Sequence, residues 1–373
     1  VLGQYKVSAW DINVNTKLTD LPTASNLKFA VRMNDAGEFS YDLDLSDPIA
    51  RATGQVIMGM GGIPFKTLVT ANSDSTILYS GIAWQTTRQS SKSVLTIAGK
   101  ALPSYFMSSV IANSYTTSIG PATLIKNVVT DAQAAGPGSN RGLVPVIVGS
   151  GQPPNVTPSY NKSQYTTVAQ VIADMTAAVT PGTGGVDYYI SDAFLNGVPQ
   201  HKMMIVSPRC GRVQSVNSPS VNLAQATDWT WPTEATGSGN HIIVVGGGTG
   251  GAQPVATADA TEPRGGLGQM PLLQEVLQYS HITNKTQLQT IANGSIQQFG
   301  KPIATPTVTI PTNYAPCALG EFQIGDDIRL WSGPSLWFPS GLSDWWRIAA
   351  YEVTVPDVGV PTVKLTLNRP PVF

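Results

Sequence analysis

The chain has 373 residues, enough for two to four compact units, with 12% charged residues and a formal net charge of −1. That balance excludes a basic field for nucleic acid and a polybasic tract for membranes. Gly (36) and Pro (28) are abundant, as in loop-rich β architecture, and low charge with many Ser, Thr, Asn and Gln suits a surface that neighbours cover.

Asp11, Lys17 and Asp20 interrupt the N-terminal segment, which therefore lacks a secretory apolar core. No apolar run approaches the ~18 residues of a membrane span. The expectation is a soluble chain made in a cytoplasm. Leu27, Phe29, Val31 and Met33 alternate with smaller or polar residues, the turn Asn34-Asp35-Ala36-Gly37 follows, and Phe39, Tyr41, Leu43 and Leu45 alternate in return. This predicts an antiparallel hairpin with one wet face. Asp47–Phe65, with Gly54, Gly59, Gly61, Gly62 and Pro64, reads as a flexible, partly apolar loop. It is either an ordinary surface excursion or a cover for a partner's edge strand, in which case Met58 and Met60 are candidate partner contacts. Phe65–Gly99 supplies a second hairpin turning at Arg88–Ser93, and Leu102–Ile111 a short helix. Residues 1–111 are assigned to an N-terminal barrel module.

Pro121 stands at a favourable first helical position, and Leu124, Ile125, Val128, Val129 and Ala132 make an apolar face up to a stop at Gly136-Pro137-Gly138. LVPVIVG reads as a strand and Ser150–Ser159 as a loop. Val168, Val171, Ile172, Met175 and Val179 give a helix over Thr166–Val179, ended by Pro181-Gly182. VDYYISDAF and HKMMIVSPR pair as a hairpin across Leu195–Gln200. Residues 112–225 form an α+β insert. HIIVVGGG is a buried strand, Ala252–Leu267 is low in apolar content, and LLQEVLQYS is a strand or short helix. Residues 226–282 therefore connect back to a second barrel.

Asn284 and Gln287 have capping-box spacing before the stripe Leu288, Ile291, Ala292 and Phe299. A strand, a Gly-Asp-Asp turn, a Trp-rich loop and a closing hairpin follow. In that hairpin Ala349, Tyr351, Val353 and Val355 face Val363, Leu365 and Leu367 across Pro356, Asp357 and Gly359. Residues 283–373 are a helix plus a C-terminal barrel module. The fold class is β-rich α+β, with a strand pattern that occurs near both ends and an insert between.

Chemistry-bearing motifs are sparse. Gly246, Gly248 and Gly251 fit G-x-G-x-x-G after an apolar strand, but Pro254 and Pro263 follow where a phosphate-binding helix would have to open. His201, His241 and His281 lack ligand spacing. Asp326 and Asp327 are adjacent and point apart on a strand, so a turn role fits better than a shared proton. Cys210 and Cys317 are read as free thiols, a single bridge being the other reading. The sequons at Asn161 and Asn284 come without a secretory signal. No catalytic residue, cofactor or metal site is assigned, and the chain is read as non-enzymatic. Trp331, Trp337, Phe338, Trp345 and Trp346 crowd one stretch, either as core, as a protein interface or as a sugar-stacking platform. Trp337 and Phe338 are placed at the loop tip as candidate partner contacts.

The hairpin LKFAVRMNDAGEFSYDLDL, the unit SGIAWQTTRQSSKSVLTIAGKALPSYF and the late strand LGEFQIGDDIRLW together resemble the hub (minor tail, or baseplate hub) proteins of long-tailed bacteriophages, especially those of actinobacteria. The resemblance implies two tail-tube-like β-barrel modules per subunit and a homotrimer whose six barrels form a pseudo-sixfold ring. Such a ring would adapt a hexameric tube to threefold tip proteins at the virion tail tip. It implies the distal tail protein, the tape measure protein and other minor tail proteins as partners, with DNA passing through the lumen unbound. The alternative is a carbohydrate-binding β-protein that recognises the host surface through the Trp-rich loop; a wall-degrading enzyme is disfavoured because no carboxylate pair is placed for it.

Overall fold

The computed structural model describes residues 5–71, 76–134, 146–149, 153, 155–177, 185–235, 238–248, 250–260, 271–280, 282–300 and 302–370. The stops at Gly136–Gly138 and Pro181-Gly182, residues 261–267 of the low-apolar stretch and His281 lie outside them, as do parts of Ser150–Ser159.

The N-terminal part is made of β1 (Tyr5–Trp10), β2 (Lys17–Asp20), β3 (Ala24–Arg32), β4 (Glu38–Asp44), α1 (Pro48–Gly59), β5 (Phe65–Ala71), β6 (Ile77–Gln89) and β7 (Val94–Ala101). Its strands run antiparallel in the order β3-β4-β7-β6-β5-β1-β2. The first expected hairpin forms with Phe29 opposite Phe39. Its period-two pattern buries Phe39, Tyr41 and Leu43 and leaves Glu38 and Asp44 outside, as one wet face requires. The second hairpin is β6–β7, turning through Ser90–Lys92, and Leu102–Ser108 continues as 3-10 turns.

The expectation of a loop over Asp47–Phe65 is overturned, because most of it is the helix α1. Asp47 caps it, its carboxylate accepting from Ile49 N at 2.6 Å and Ala50 N at 3.2 Å, with Pro48 in the first turn. Gly54, which argued for a loop, is buried on the helix face, where a Cβ would lie 2.8 Å from Leu45 Cδ2. Here the glycine serves close packing, which outweighs its cost of about 1 kcal/mol in a helix. Met58 and Met60 are half-buried against the main core, while Ile49, Val56 and Ile63 are exposed.

The middle part is α2 (Pro121–Ala134), β8 (Val146–Val148), α3 (Val168–Ala177), β9 (Asp187–Leu195) and β10 (Val198–Val206). β9 and β10 form the expected hairpin, closed by Asn196 and Gly197 at positive φ as a two-residue turn demands. β8 adds parallel to β10. Val128 and Val129 of α2, Val171 and Met175 of α3, and Met203 and Ile205 of β10 share a core with Leu102 and Phe106. The chain re-enters the main sheet early, since β11 (Ser220–Asn222) pairs parallel with a C-terminal strand. β12 (Asp228–Thr230) and β13 (Thr233–Glu234) follow.

A separate core lies under β14 (His241–Gly246), β15 (Val255–Asp259), β16 (Gln274–Tyr279) and α4 (Lys285–Phe299). LLQEVLQYS, open between helix and strand, supplies β16, which runs parallel to β14. Asn284 caps α4 as expected, accepting from Thr286 N and Gln287 N. The helix, read as feeding the strands after it, packs instead on those before it: Leu288, Ile291 and Ala292 lie with Ile242, Val244 and Ala256.

β17 (Ile303–Ala304), β18 (Thr307–Pro311), β19 (Asp327–Ser332), β20 (Leu342–Val355) and β21 (Thr362–Asn368) complete the chain. β20 unites the molecule. It pairs with β21 along one edge; along the other it pairs first with β19 over Leu342–Arg347 and then with β3 over Ala350–Val355. The irregularity between Ile348 and Ala350 marks that change of partner. The two end regions therefore share one 13-stranded, mostly antiparallel sheet and one core, in which Leu27 and Phe39 sit with Val308, Trp346 and Leu365. Closure of the two expected barrels is not seen: among the described residues the pairing path is open, from β2 to β12, and the seam between the end regions is a ladder. The physical reason is that β20, with 14 residues, is long enough to serve partners from both ends of the sequence.

Candidate functional site

Two features stand out: a buried ionic junction where the three parts meet, and an aromatic ledge running from core to solvent. The junction is centred on Asp187, at the start of β9. One carboxylate oxygen accepts from Arg347 Nη2 at 2.5 Å and from Cys210 N at 3.0 Å; the other accepts from Asn34 Nδ2 at 3.0 Å. Asn34 Oδ1 in turn accepts from Tyr188 N at 2.8 Å. The first hairpin's turn, the insert and β20 are thus tied to one carboxylate.

Beside it, Arg209 Nη2 reaches Asp327 Oδ1 at 2.6 Å and Gly325 O at 2.7 Å. Arg212 grips Asp326 through Nε and Nη2 at 3.0 and 2.6 Å, and its backbone N donates to Asp326 Oδ1 at 2.7 Å. Asp326 and Asp327 are fully buried; Gln323 N donates to Asp326 Oδ2, the oxygen that Arg212 grips, and Gln214 N donates to the second oxygen of Asp327. Charges so buried persist only when paired and hydrogen-bonded, and these are. The turn role read from the adjacent aspartates holds for Asp326, whose carboxylate closes the turn from Gln323. The sequence did not reveal that each takes its own arginine. Gly325 and Gly211 allow the two backbones to meet: both have positive φ, and a Cβ on Gly325 would stand 2.4 Å from Cys210 Sγ. Cys210 and Cys317 are free and buried, as read, and burial pushes both thiols up to about 12, away from the range of an activated thiolate.

The ledge begins at Trp337, 70% exposed on the tip between β19 and β20. Its ring meets Trp229 edge-on, with centroids 6.3 Å apart; Trp229 lies against Phe338, Phe338 against Trp231 and Trp231 against the fully buried Trp346. Arg369 stacks over Trp346 at 5.0 Å. Ser335 and Phe338 fix the tip reciprocally, Phe338 N donating to Ser335 Oγ and Ser335 N to Phe338 O. Of the aromatic stretch, Trp346 is core, Trp345 and Phe338 are half-buried, and Trp331 is 42% exposed. Sequence reasoning missed Trp229 and Trp231, which approach only because β12 pairs with β18. Phe338, Met58 and Met60 each pack against the main core, whereas Trp337 projects into solvent.

The other candidates are placed as follows. Gly246 ends β14, and a short 3-10 turn at Gly250–Ala252 precedes β15, with no α-helix opening at the glycines among the described residues. His201 and His241 each pair with an aspartate, Asp192 and Asp259. Ser80 and His201 both hydrogen-bond Asp192. The hydroxyl proton is thus aimed at the carboxylate and not at the imidazole, which is no nucleophile–base pair. Among the described residues, no group of three or more His, Cys, Asp or Glu is placed to hold a metal ion, and no helix is long and apolar enough to cross a membrane.

No protein-family model matches the chain, and no curated protein matches it. Solved structures do. The fold is similar to the tail protein from Neisseria meningitidis MC58, with a TM-score of 0.63 and 11% identity over 98% of this chain and 97% of that one. It is similar to the 43 kDa tail protein of prophage MuSo2 from Shewanella oneidensis, with a TM-score of 0.59 and 12% identity over 98% and 97%. It is also similar to the prophage tail protein gp18 from Listeria monocytogenes EGD-e, with a TM-score of 0.55 and 11% identity over 98% and 95%. At such identities the likeness is one of fold, and it runs end to end: the chain has the fold of these phage tail proteins.

Proposed function

We propose that the chain is a structural component of a phage tail, and specifically the hub that adapts a hexameric tail tube to threefold tip proteins. The observation that carries this reading is the end-to-end match to the Neisseria meningitidis tail protein, with nearly all of both chains covered. Because the match leaves little of either chain over, it supports a role residing in the whole fold. In the proposed assembly three subunits make the ring, and the two end regions on either side of the β3–β20 seam act as its two tube-like units. The division at 1–111, 112–225, 226–282 and 283–373 is retained as the working map of those units. The distal tail protein, the tape measure protein and other minor tail proteins are the proposed neighbours, and DNA passes through the lumen without specific contacts. The protein would work without cofactor or catalysis, at the tail tip of the virion.

The ledge at Trp337 and Phe338 and the α1 surface near Met58 and Met60 are the proposed partner contacts. An exposed Trp backed by a continuous aromatic chain is an anchor of the kind that carries interface energy. Native mass spectrometry of the purified chain, followed by cryo-microscopy with neighbouring tail proteins, tests the proposal. Three subunits per ring are expected, with each contact burying more than about 2,000 Å² in total, as obligate interfaces do. A monomer that stays monomeric with those proteins present, or six subunits in the ring, would overturn it.

A further inference from the structure

α1 is apolar on two nearly opposite faces. Ala50, Gly54 and Ile57 are buried on the side that meets the protein. At 3.6 residues per turn, Ile49, Ala52, Val56 and Gly59 form a second stripe on the far side of the helix. All four are exposed, Ile49 at 57% and Val56 at 43%. Their spacing of three, four and three residues is that of a seam where one helix packs on another. The residues bordering the stripe, Thr53 and Gln55, are uncharged. The one charge on α1 is Arg51, whose Nε donates to Leu45 O at 2.9 Å. A Cβ built on Gly59 meets no atom within 4 Å, so that end of the stripe is open space.

We propose that this stripe is a self-association surface, on which α1 of a second copy of the chain lies antiparallel across a two-fold axis. The argument is the order of sizes. Large and small residues alternate along the stripe: Ile49, Ala52, Val56, Gly59. In an antiparallel pair centred on Gly54, Ile49 of each copy meets Gly59 of the other, and Ala52 of each meets Val56 of the other. Every layer then holds one large and one small side chain, and the helices close on each other without a void. A parallel pair would stack Ile49 on Ile49 and Gly59 on Gly59, crowding some layers and leaving gaps in others. Read backwards, the order is its own complement, so a second copy supplies the match by symmetry. The stripe is also free of charge, so two copies meet there without like charges opposed. It spans about three turns, which places the contact in the small, reversible class, below about 1,200 Å². A two-fold contact closes on a pair, so it cannot build a threefold ring. It joins copies outside any one ring, and it stands whether or not the ring reading holds.

Cysteine cross-linking of the full chain tests the register. Chains carrying Ala52→Cys are mixed with chains carrying Val56→Cys under a mild oxidant; the native thiols of Cys210 and Cys317 are buried and do not compete. The mixed disulfide is expected to form about tenfold faster than a disulfide between two like chains. Sedimentation velocity then reads the strength of the contact. Gly59→Leu sets a large residue against Ile49 and should lower association by about tenfold, while adding Ile49→Ala swaps large for small and should restore it. Thermal melts of both variants should show the fold intact. A chain that pairs in this way without forming three-membered rings would sink the ring reading and leave this one standing. No self-association at about 0.5 mM, fastest cross-linking of Ala52→Cys with itself, or Gly59→Leu without effect would overturn the proposal.

Discussion

Asp187→Ala tests whether the ionic junction holds the three parts together. The substitution removes the acceptor for Arg347 Nη2, for Cys210 N and for Asn34 Nδ2. Arg347, 5% exposed, is left as a buried cation, although Gly325 O and Cys210 O still accept from it at 3.1 and 3.0 Å. Removing one partner of a buried pair costs about 3–5 kcal/mol. The surviving carbonyl contacts place this site at the lower end, about 3 kcal/mol, or roughly two decades of amide protection at 1.4 kcal/mol each. Hydrogen exchange should register that loss in peptides 185–214 and 321–332, and chemical denaturation should give a matching shift. Asp187→Leu with Arg347→Met removes both charges at similar volume and should recover more than half of the loss, since a buried pair is often replaceable by packed apolar groups. A cost below about 1 kcal/mol, or a double variant no better than Asp187→Ala, would refute the view that an unpaired buried charge is the source of the effect.

Other outcomes follow from the same physics. Lys66 binds its proton less tightly when folded, at about 8 against an ordinary 10.5, so between those values the unfolded chain holds more protons and stability rises with pH. Lys66→Met should therefore stabilise by about 2–3 kcal/mol at pH 7, and thermal melts should show that gain fading towards pH 10.5. Gly325→Ala, with a Cβ forced towards Cys210 Sγ at positive φ, should cost about 2–3 kcal/mol by denaturation. Trp346→Ala should cost about 3–5 kcal/mol in the same assay, whereas Trp337→Ala should leave stability within about 0.5 kcal/mol. Trp337→Ala should nevertheless reduce incorporation into tail particles; unchanged incorporation together with lost binding to host-wall glycans would favour the sugar-recognition alternative.

The parts of the fold that were legible in the sequence are those whose signal is local. Period-two alternation placed β3, β4, β20 and β21, and the i, i+3, i+4 stripe placed the starts of α2 and α3 within two residues. α1 was hidden because glycine carries one local meaning, a broken helix, and a second meaning that only packing reveals. Gly54 sits where Leu45 presses on the helix, and no spacing along the chain announces that contact. The single sheet was hidden for a related reason. The β3–β20 ladder joins residues more than three hundred positions apart, and alternation specifies a strand's faces without naming its neighbour.

The same reasoning explains the site. Trp337 and Phe338 were visible as an aromatic run, but the rings that back them, Trp229 and Trp231, are brought in by a three-residue strand too short to be read from pattern. Asp326 and Asp327 were visible as a pair expected to point apart on a strand; only Asp327 lies on β19, Asp326 closing the turn before it, and their carboxylates take separate partners. That divergence is what the junction uses: pointing apart lets one carboxylate take Arg212 and the other Arg209, so that two adjacent charges can both be buried without repelling across a shared site. Geometry that argued against joint catalysis at these aspartates is therefore the geometry that fits them to fasten the insert to the sheet.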